Sequence, residues 1–426
     1  MYDLCINGGL CFINGTFIEA SIGIEGNKIV YIGKEEAKAE LEIDASGKLV
    51  MPGLFNAHTH LAMTLLRGYV EDMPLKEWLN SVWKMEAKLT PNDVYWGSML
   101  GILEMIKTGT TAFSDMYFHM DEVAKAVGET GIRAVLSYGM IERGDEERGK
   151  KEIKVGTEFI KEWDGAFNGR IKAIFGPHAP YTCSLDFLLK VKERAEELDT
   201  LIHIHVSETK HELEEMKREH GKTPVKILED IGFLSKRVII AHGVWLEDED
   251  IRILKRRGVS VAHNPVSNLK LASGIARVVD LLKAGVNVCL GTDGAASNNT
   301  YNLFEEIKIA SLLQKVVAGA NAITANDVLN MATKNGYKAY EIAGGKLAKG
   351  MLADLVLLNA KSFNYVPLYN PLHSVVYASY GCEVTHSIVD GKLLMEDSIL
   401  LTIDEENVLS KVLERVERIR SKLNQS

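Results

Sequence analysis

The chain has 426 residues, of which 46% are hydrophobic and 25% charged, and its formal net charge is -9. This length suits one α/β barrel of ~250 residues plus a smaller domain, and the composition is that of a globular protein. The negative charge offers no basic face for a phosphate backbone, so we expect a small-molecule partner and no nucleic acid.

Cysteine usage and the N-terminal segment bear on location. The five cysteines are scattered without CxxC spacing, which argues against a disulfide framework or a thiolate zinc site and fits a reducing cytoplasm. The segment "MYDLCINGGLCFINGTFIEA" has no basic stretch leading into an apolar run, and no run approaches the ~18 apolar residues of a membrane span. We therefore expect a cytoplasmic protein without membrane contact.

Both ends of the chain have β character. Residues 1–53 contain short apolar runs broken by Asn-Gly and Gly-rich turns, which are typical of hairpins. Residues 347–426 begin in the same way and end in "EENVLSKVLERVERIRSKLN", whose apolar spacing predicts a surface helix. The two ends together predict one small composite β-sandwich domain.

The middle of the chain, residues 54–346, alternates apolar β-type runs with segments of helical period, which predicts a parallel sheet with helical crossovers. Eight runs are present, the number that a TIM (β/α)8 barrel requires. They are "KLVMPGLFNAHTH", which begins just before this segment, then "GTTAFSDMY", "IRAVLSYGM", "IKAIFGPHAP", "LIHIHVSE", "VIIAHGV", "VSVAHNP" and "VNVCLGTDG".

Most of these runs end in a polar or ionisable residue. These residues are His58, His60, Asp115, His178, His205, His242, His263 and Asp293. In a TIM barrel the C-terminal ends of the strands converge on one mouth, where the chemistry of this fold takes place. Distant parts of the sequence are therefore predicted to share one pocket.

His58 and His60 form an HxH pair on the first barrel strand. Because residues i and i+2 of a strand point to the same side, both imidazoles can reach one ligand, although two ordinary hydrogen-bonded histidines are the alternative. With His205 and Asp293 at the same mouth, the pair suits one divalent metal, zinc first and Fe2+ or Mn2+ as alternatives. His203 shares a strand face with His205 but lies one layer deeper, and we expect it to be a packing residue.

Several ordered motifs resemble the amidohydrolase superfamily, in the branch of methylthioadenosine/S-adenosylhomocysteine deaminases and 5'-deoxyadenosine deaminase. They are "MPGLFNAHTH", "HVSETKHE", "AHGV", "HNPVSNLKLASG" and "GTDGAASNN". The resemblance implies that His58, His60, His205 and Asp293 hold one metal. Dinuclear members use a bridging carboxylated lysine at the end of the fourth strand, and "IKAIFGPHAP" has no lysine at that end, so a mononuclear site is expected. Similar proteins form dimers or tetramers, so we also expect a homo-oligomer.

The resemblance further implies a reaction: hydrolytic removal of the 6-amino group of an adenine nucleoside, which leaves the hypoxanthine analogue and ammonia. A bound metal can lower the pKa of water from 15.7 to about 7, so that hydroxide can attack C6. Asp293 and His242 are expected to take up the proton of that water and to orient it. Glu208 is expected to protonate N1 of the ring, and Asp293 to pass a proton to the leaving nitrogen.

Candidate substrates are 5'-methylthioadenosine, S-adenosylhomocysteine, 5'-deoxyadenosine and adenosine. The residues expected to contact the nucleoside are Glu86, Arg143, Arg148, His178, Glu208, Asp293 and Ser297. The resemblance implies that Glu86 accepts hydrogen bonds from the ribose, while an ordinary helix-surface acid is the alternative. His178 would lie near the purine and sugar, and Ser297 near the 5' tail. An arginine would bind a substrate carboxylate, but the short loop "IERGDEERGKKE" leaves open which arginine does so, and whether S-adenosylhomocysteine is accepted.

Three classes of alternative function can be weighed against the pattern. A guanine deaminase, a cytosine deaminase or a triazine hydrolase would share the metal ligands. A non-catalytic scaffold is disfavoured because all four ligand positions, Glu208 and His242 are present. A nucleic acid deaminase would need cysteine ligands and an HxE signature, which the sequence lacks.

Overall fold

Two sheets organise the molecule, one built from both ends of the chain and one from its middle. The computed structural model describes residues 1–423. Within that range, no helix combines the length and the apolar character that crossing a membrane requires.

Strands and helices are numbered along the chain. The strands are β1 (Tyr2–Ile13), β2 (Thr16–Glu25), β3 (Lys28–Gly33), β4 (Ala39–Asp44), β5 (Lys48–Pro52), β6 (Leu54–His60), β7 (Thr110–Tyr117), β8 (Arg133–Met140), β9 (Ile171–Pro177), β10 (Ile202–Val206), β11 (Val238–His242), β12 (Ser260–His263), β13 (Asn287–Leu290), β14 (Asp293–Gly294), β15 (Leu355–Asn359), β16 (Val384–Val389), β17 (Lys392–Glu396) and β18 (Ile399–Leu400). The helices are α1 (Leu75–Glu86), α2 (Pro91–Lys107), α3 (Met120–Thr130), α4 (Glu146–Trp163), α5 (Ala166–Gly169), α6 (Leu185–Glu197), α7 (Lys210–His220), α8 (Pro224–Asp230), α9 (Asp248–Arg257), α10 (Pro265–Lys270), α11 (Val278–Ala284), α12 (Leu303–Ala318), α13 (Ala325–Met331), α14 (Lys334–Ala339), α15 (Pro371–Ala378) and α16 (Glu405–Leu423). A 3-10 helix, Leu61–Leu66, follows β6.

The composite sheet runs in the order β18-β17-β16-β15-β5-β1-β2-β3, with β4 parallel to β1. Its two contributions join where β5 pairs antiparallel with β15, so that Val50 lies opposite Leu357. The prediction of a β domain assembled from both ends of the chain is confirmed. The exact domain boundaries, 53/54 and 346/347, stay a prediction.

The second sheet closes into a barrel. Its order is β13-β12-β11-β10-β9-β8-β7-β6-β14, and the pairings between neighbours are parallel. β14 continues the path of β13 and pairs with β6, while β13 pairs with β12. The two short strands therefore act as one interrupted eighth strand, and the predicted (β/α)8 barrel is confirmed.

The chain passes from one sheet to the other at Gly53. A Cβ atom at this position would lie 1.9 Å from Thr111 Oγ1, so only glycine fits between β5 and β6. The run "KLVMPGLFNAHTH", counted above as one barrel strand, is in fact two strands in different sheets. The apolar pattern continues across the glycine and so hides the change of sheet.

The two ends of the barrel differ in what fills them. Near the starts of the strands, Tyr337 and Tyr340 of the α14 segment belong to one buried apolar cluster with residues of the barrel strands, among them Phe55, Ala112 and Val135. These tyrosines form what we call the floor of the barrel. The carboxyl ends of the strands form the open mouth, as expected for this fold.

Candidate metal centre and active site

Four side chains from three strands meet at the mouth. Asp293 Oδ1 lies 3.4 Å from His58 Nε2 and 3.3 Å from His60 Nε2. The ring centroids of His58 and His205 are 4.8 Å apart. The potential donor atoms of His58, His60 and Asp293 lie within 4.8 Å of one another, as do those of His58, His205 and His242. The structure thus brings the four residues expected as metal ligands together, with His242 beside them.

Two of these imidazoles are oriented through Nδ1. His60 Nδ1 lies 2.6 Å from the carbonyl oxygen of Met116, and His205 Nδ1 lies 2.7 Å from that of His178. A carbonyl oxygen only accepts hydrogen bonds, so Nδ1 carries the proton in both rings. Nε2 of both rings is therefore the atom that is available to a metal.

His58 provides the test of whether a metal fits. Its Nε2 is buried and has no hydrogen-bond partner among residues 1–423. Burial lowers the pKa of His58 to about 4, so the ring is neutral near pH 7. A buried polar atom without a partner is costly unless something binds it. Three imidazoles and one carboxylate form a donor set that zinc and related divalent ions favour, so these residues fit one such ion.

Two serine hydroxyls hold the Asp293 carboxylate in place. Its Oδ2 accepts hydrogen bonds from Ser267 Oγ at 2.7 Å and Ser297 Oγ at 3.0 Å, which leaves Oδ1 for the histidines. Although burial raises its pKa, the adjacent imidazoles of His58, His60 and His242 outweigh burial and hold the pKa of Asp293 well below its usual value. Gly291 lets the interrupted eighth strand pass close to β6, since a Cβ at Gly291 would lie 2.7 Å from the His58 backbone nitrogen.

Glu208 lies directly after β10, in a turn fixed by Glu212. The two Glu212 carboxylate oxygens accept the backbone N–H groups of Ser207, at 2.8 Å, and Glu208, at 2.7 Å. Ser207 has a left-handed φ of +56°. The Glu208 carboxylate lies 3.8 Å from His242 Nε2. Burial raises the pKa of Glu208 above its usual value, so this carboxyl can hold a proton beside the ligand cluster.

His242, at the end of β11, is oriented in the same manner as the ligand histidines. Its Nδ1 lies 2.9 Å from Asn268 Oδ1, and its backbone has a φ of +73°. Burial lowers the pKa of His242, but the charges of Glu208 and Asp293 outweigh burial and raise the pKa above its usual value. The ring can therefore exchange a proton with whatever occupies the mouth.

A cavity of about 310 Å³ opens over these residues, a volume that suits a small molecule. One side is formed by polar groups that include His60, His205, Glu208, His242 and Asp293. Another part of the lining comes from α1 and from aromatic residues at or near the ends of β7 and β8, among them Trp78, Trp83, Glu86, Tyr117, Phe118 and Tyr138. The wall formed by α1 and these aromatic residues is thus apolar with a few polar groups.

Glu86 is the acidic group on that apolar wall. One of its carboxylate oxygens accepts a hydrogen bond from the Tyr117 hydroxyl at 2.6 Å. Burial raises the pKa of Glu86 to about 7, although the bond from Tyr117 opposes this. His178 also lines the cavity and is oriented by Thr182, whose Oγ1 lies 2.9 Å from His178 Nδ1. Glu86 is therefore a cavity residue and not a solvated helix-surface acid.

The arginines and Ser297 occupy different places. Arg148 lines the cavity, and its Nε lies 3.7 Å from the carboxylate of Glu152, one helical turn further along α4. Arg143 is not among the cavity-lining residues and lies over the Trp83 ring, with 5.1 Å between the guanidinium carbon and the ring centroid. Ser297 is buried behind Asp293, to which it donates its hydroxyl. Of these three candidates for contact with a substrate tail, the structure brings Arg148 to the cavity wall.

Sequence reasoning missed several of the supporting residues. Glu212, Tyr117 and Tyr340 were not singled out, and His203 was treated as packing alone. The structure shows that His203 Nε2 lies 2.8 Å from His58 Nδ1. A usable signal existed only for Glu212, which lies three residues after Thr209, the Thr-x-x-Glu spacing that marks a helix N-terminus.

Comparisons with known proteins agree with this geometry. Residues 49–394 match the amidohydrolase family. The 5-methylthioadenosine/S-adenosylhomocysteine deaminase 2 of Archaeoglobus fulgidus is 51% identical, with 96% of this chain and 97% of the relative covered. The 5'-deoxyadenosine deaminase of Methanosarcina acetivorans is also 51% identical, with 96% and 95% covered. A crystal structure of an adenosine deaminase from Xanthomonas campestris with bound zinc superposes with a TM-score of 0.94 at 31% identity, covering 99% of both chains. The chain therefore belongs to the amidohydrolase family.

Proposed function

We propose that this protein is a mononuclear metal-dependent hydrolase that deaminates adenine nucleosides at C6. One observation carries the proposal: Glu208 and His242, 3.8 Å apart, lie beside the cluster of His58, His60, His205 and Asp293 in a cavity sized for a small molecule. The two relatives described above, both about half identical to this chain, are named as deaminases of adenine nucleosides, which supports the choice of substrate.

The candidate ligands would hold one divalent ion, zinc first. When bound, such an ion lowers the pKa of a coordinated water to about 7 and so supplies the nucleophile. Side chains of the protein donate and accept the protons. Glu208, with its raised pKa, donates a proton to N1 as C6 becomes tetrahedral, while His242 and Asp293 take up the proton that the water loses. Asp293 then passes that proton to the exocyclic nitrogen, ammonia leaves as the C6 hydroxyl becomes a carbonyl, and the hydroxyl proton returns to Glu208.

Residues on the cavity walls would orient the nucleoside. Glu86 accepts hydrogen bonds from the ribose hydroxyls, and His178 borders the purine and sugar. Arg148 and Glu152 both line the cavity, so Arg148 is our candidate for contact with a carboxylate-bearing tail. Because Glu152 partly neutralises Arg148, neutral 5' groups are accepted as well. S-adenosylhomocysteine, 5'-methylthioadenosine, 5'-deoxyadenosine and adenosine are thus all candidate substrates.

The test is a substrate panel. Zinc-loaded protein is offered these four nucleosides together with guanine, cytosine and a chlorotriazine. Turnover of each compound is followed by its own change in ultraviolet absorbance, which for the nucleosides is the conversion of adenine to hypoxanthine. We expect turnover of at least one adenine nucleoside and none of the other three compounds. Protein that contains stoichiometric zinc but turns over no adenine nucleoside would refute the proposal.

Assembly and location complete the proposal. We expect a homodimer or homotetramer, which is supported by large apolar side chains on the surface, such as Val316 (83% exposed), Phe363 (81%) and Tyr369 (92%). Sedimentation velocity of the metal-loaded protein measures this directly, and a single monomeric species would contradict it. A cytoplasmic location stays a prediction.

A further inference from the structure

A chain of three buried hydrogen bonds runs from His58 to the floor of the barrel. His58 Nδ1 lies 2.8 Å from His203 Nε2, and His203 Nδ1 lies 2.7 Å from the Tyr340 hydroxyl oxygen. The Tyr340 oxygen in turn lies 2.7 Å from the carbonyl oxygen of Ala57. All four residues are at most 1% exposed. Neither His203 nor Tyr340 has a part in the chemistry proposed above, yet both are tied to a candidate ligand.

The Ala57 end of this hydrogen-bond chain determines which atom of each member carries the proton. The Ala57 carbonyl can only accept, so the short contact with it needs the hydroxyl hydrogen of Tyr340. That hydroxyl has no second hydrogen to give, so the bond between Tyr340 and His203 needs the hydrogen of His203 Nδ1. The His203 ring is fully buried and its two ring nitrogens face His58 and Tyr340, so the ring is neutral and its Nε2 bears a lone pair. The 2.8 Å contact of His203 Nε2 with His58 therefore needs a hydrogen on His58 Nδ1.

Packing holds the members of the chain in place. The rings of His58 and His203 lie nearly parallel and meet at their edges, with centroids 4.9 Å apart and planes 10° apart. Tyr340 stacks on Phe55 at 5.4 Å and 11°. Because these rings cannot turn without disturbing the buried floor, the hydrogen bonds keep one direction along the whole chain.

We propose that Tyr340 and His203 are positioning residues that hold His58 in the tautomer with its hydrogen on Nδ1, so that Nε2 always presents its lone pair to the metal. This inference rests on the proposed metal site. The hydrogen-bond chain uses Nδ1 of His58 and leaves free its unpartnered Nε2, which lies 3.4 Å from Asp293. A hydroxyl at the floor of the barrel thereby contributes to metal affinity without touching the metal.

Zinc affinity of the metal-free protein, measured by competition with a chromophoric chelator, tests the inference. Tyr340→Phe and His203→Leu should each weaken zinc binding by about 10- to 100-fold. His203→Gln offers an amide oxygen that can accept from His58 Nδ1, so it should bind zinc at least about tenfold more tightly than His203→Leu.

Tyr337→Phe is the matched control. Tyr337 is equally buried and also packs on Phe55, with ring centroids 5.0 Å apart. Its hydroxyl, however, donates to Asp354 at 2.8 Å and takes no part in the hydrogen-bond chain of His58, His203 and Tyr340. The variant should bind zinc as the unmodified protein does. A second readout is the 15N spectrum of histidine-labelled, metal-free protein, in which the His58 ring should show the Nδ1–H tautomer, and a mixture of tautomers in Tyr340→Phe.

Three results would overturn the inference. They are unchanged zinc affinity in Tyr340→Phe, equal weakening in Tyr337→Phe, or equal zinc affinity of His203→Leu and His203→Gln. The last comparison decides the matter if Tyr340→Phe fails to fold. Failure of the unmodified protein to bind zinc would instead refute the proposed function, so the two failures are distinguishable.

Discussion

Both ends of the barrel bury polar and charged side chains, but the two ends differ in how their central groups are paired. Where β8 begins, Arg133 donates to both carboxylate oxygens of Asp354, at 2.6 and 3.1 Å, and to Asp390 at 2.9 Å. Tyr337 donates a further hydrogen bond to Asp354. Asp354 and Asp390 flank strands of the composite sheet, so this floor cluster ties the two domains together with its principal charges paired.

The mouth is built in the opposite way. His58 Nε2, Ser207 Oγ and both ring nitrogens of His263 are buried without a hydrogen-bond partner in the described part of the chain. A folded chain retains the cost of such unpartnered atoms where a ligand recovers it. The paired end therefore serves structure, and the unpaired end serves binding and chemistry.

Removal of the metal should have the largest effect and should affect the mouth alone. Dialysis against a strong chelator should abolish deamination, because no other group at the mouth activates water, and added zinc should restore it. The floor cluster does not depend on the metal, so the far-UV circular dichroism should persist, while zinc raises the unfolding temperature by binding the folded state. Full turnover by protein without detectable metal would contradict the assignment.

Replacement of Glu208 by glutamine should have the next largest effect. Loss of a general acid costs about 10²- to 10⁴-fold in kcat. Zinc content, measured by atomic absorption, should stay stoichiometric because Glu208 is not a proposed ligand. Glu214→Gln is the matched control, since Glu214 lies on α7 nearby with its side chain 62% exposed. Equal kcat values for the two variants would remove Glu208 from the mechanism.

At the floor, Asp354→Asn should reduce stability and spare chemistry. Removal of one charge from a buried pair costs about 3–5 kcal/mol, because Arg133 would keep a buried charge with a weaker partner. The control is Asp397→Asn, which breaks the exposed pair with Lys48 and should cost less than about 1 kcal/mol. Chemical denaturation measures both, and kcat per folded molecule should be unchanged. A lower kcat at full folding would show that the two ends are coupled.

The difference between the two ends also explains what the sequence could predict. The HxH pair, His205 and Asp293 follow apolar strand runs, and parallel strands bring their carboxyl ends together whatever the loops do. The barrel, the composite domain and the residues of the metal cluster were therefore predictable from periodicity and motifs. The resemblance to a known family added roles, such as that of Glu208, which spacing alone does not give.

What the sequence could not predict depends on loops and on distant partners. Arg143 has a left-handed φ of +56°, and this local conformation, which no periodic pattern encodes, sets where its side chain goes. Tyr340 reaches His203 from a segment 137 residues away, after the last barrel strand. Gly53 is hidden within a continuous apolar run. Such details arise from tertiary packing.

The smallest predicted effect concerns Glu86 and nucleoside binding. Its pKa of about 7 means that the carboxyl is mostly neutral below pH 7 and mostly ionised above it. An ionised carboxylate accepts stronger hydrogen bonds from ribose hydroxyls, by about 1 kcal/mol, so binding should tighten roughly fivefold as the pH rises through 7. The inhibition constant of the hypoxanthine nucleoside product, measured from pH 6 to about 8, reports this step, and Glu86→Gln should abolish it. Free hypoxanthine lacks the ribose and should bind without the Glu86-dependent step, so the same step with the free base, or its persistence in Glu86→Gln, would assign the titration to the metal side of the cavity.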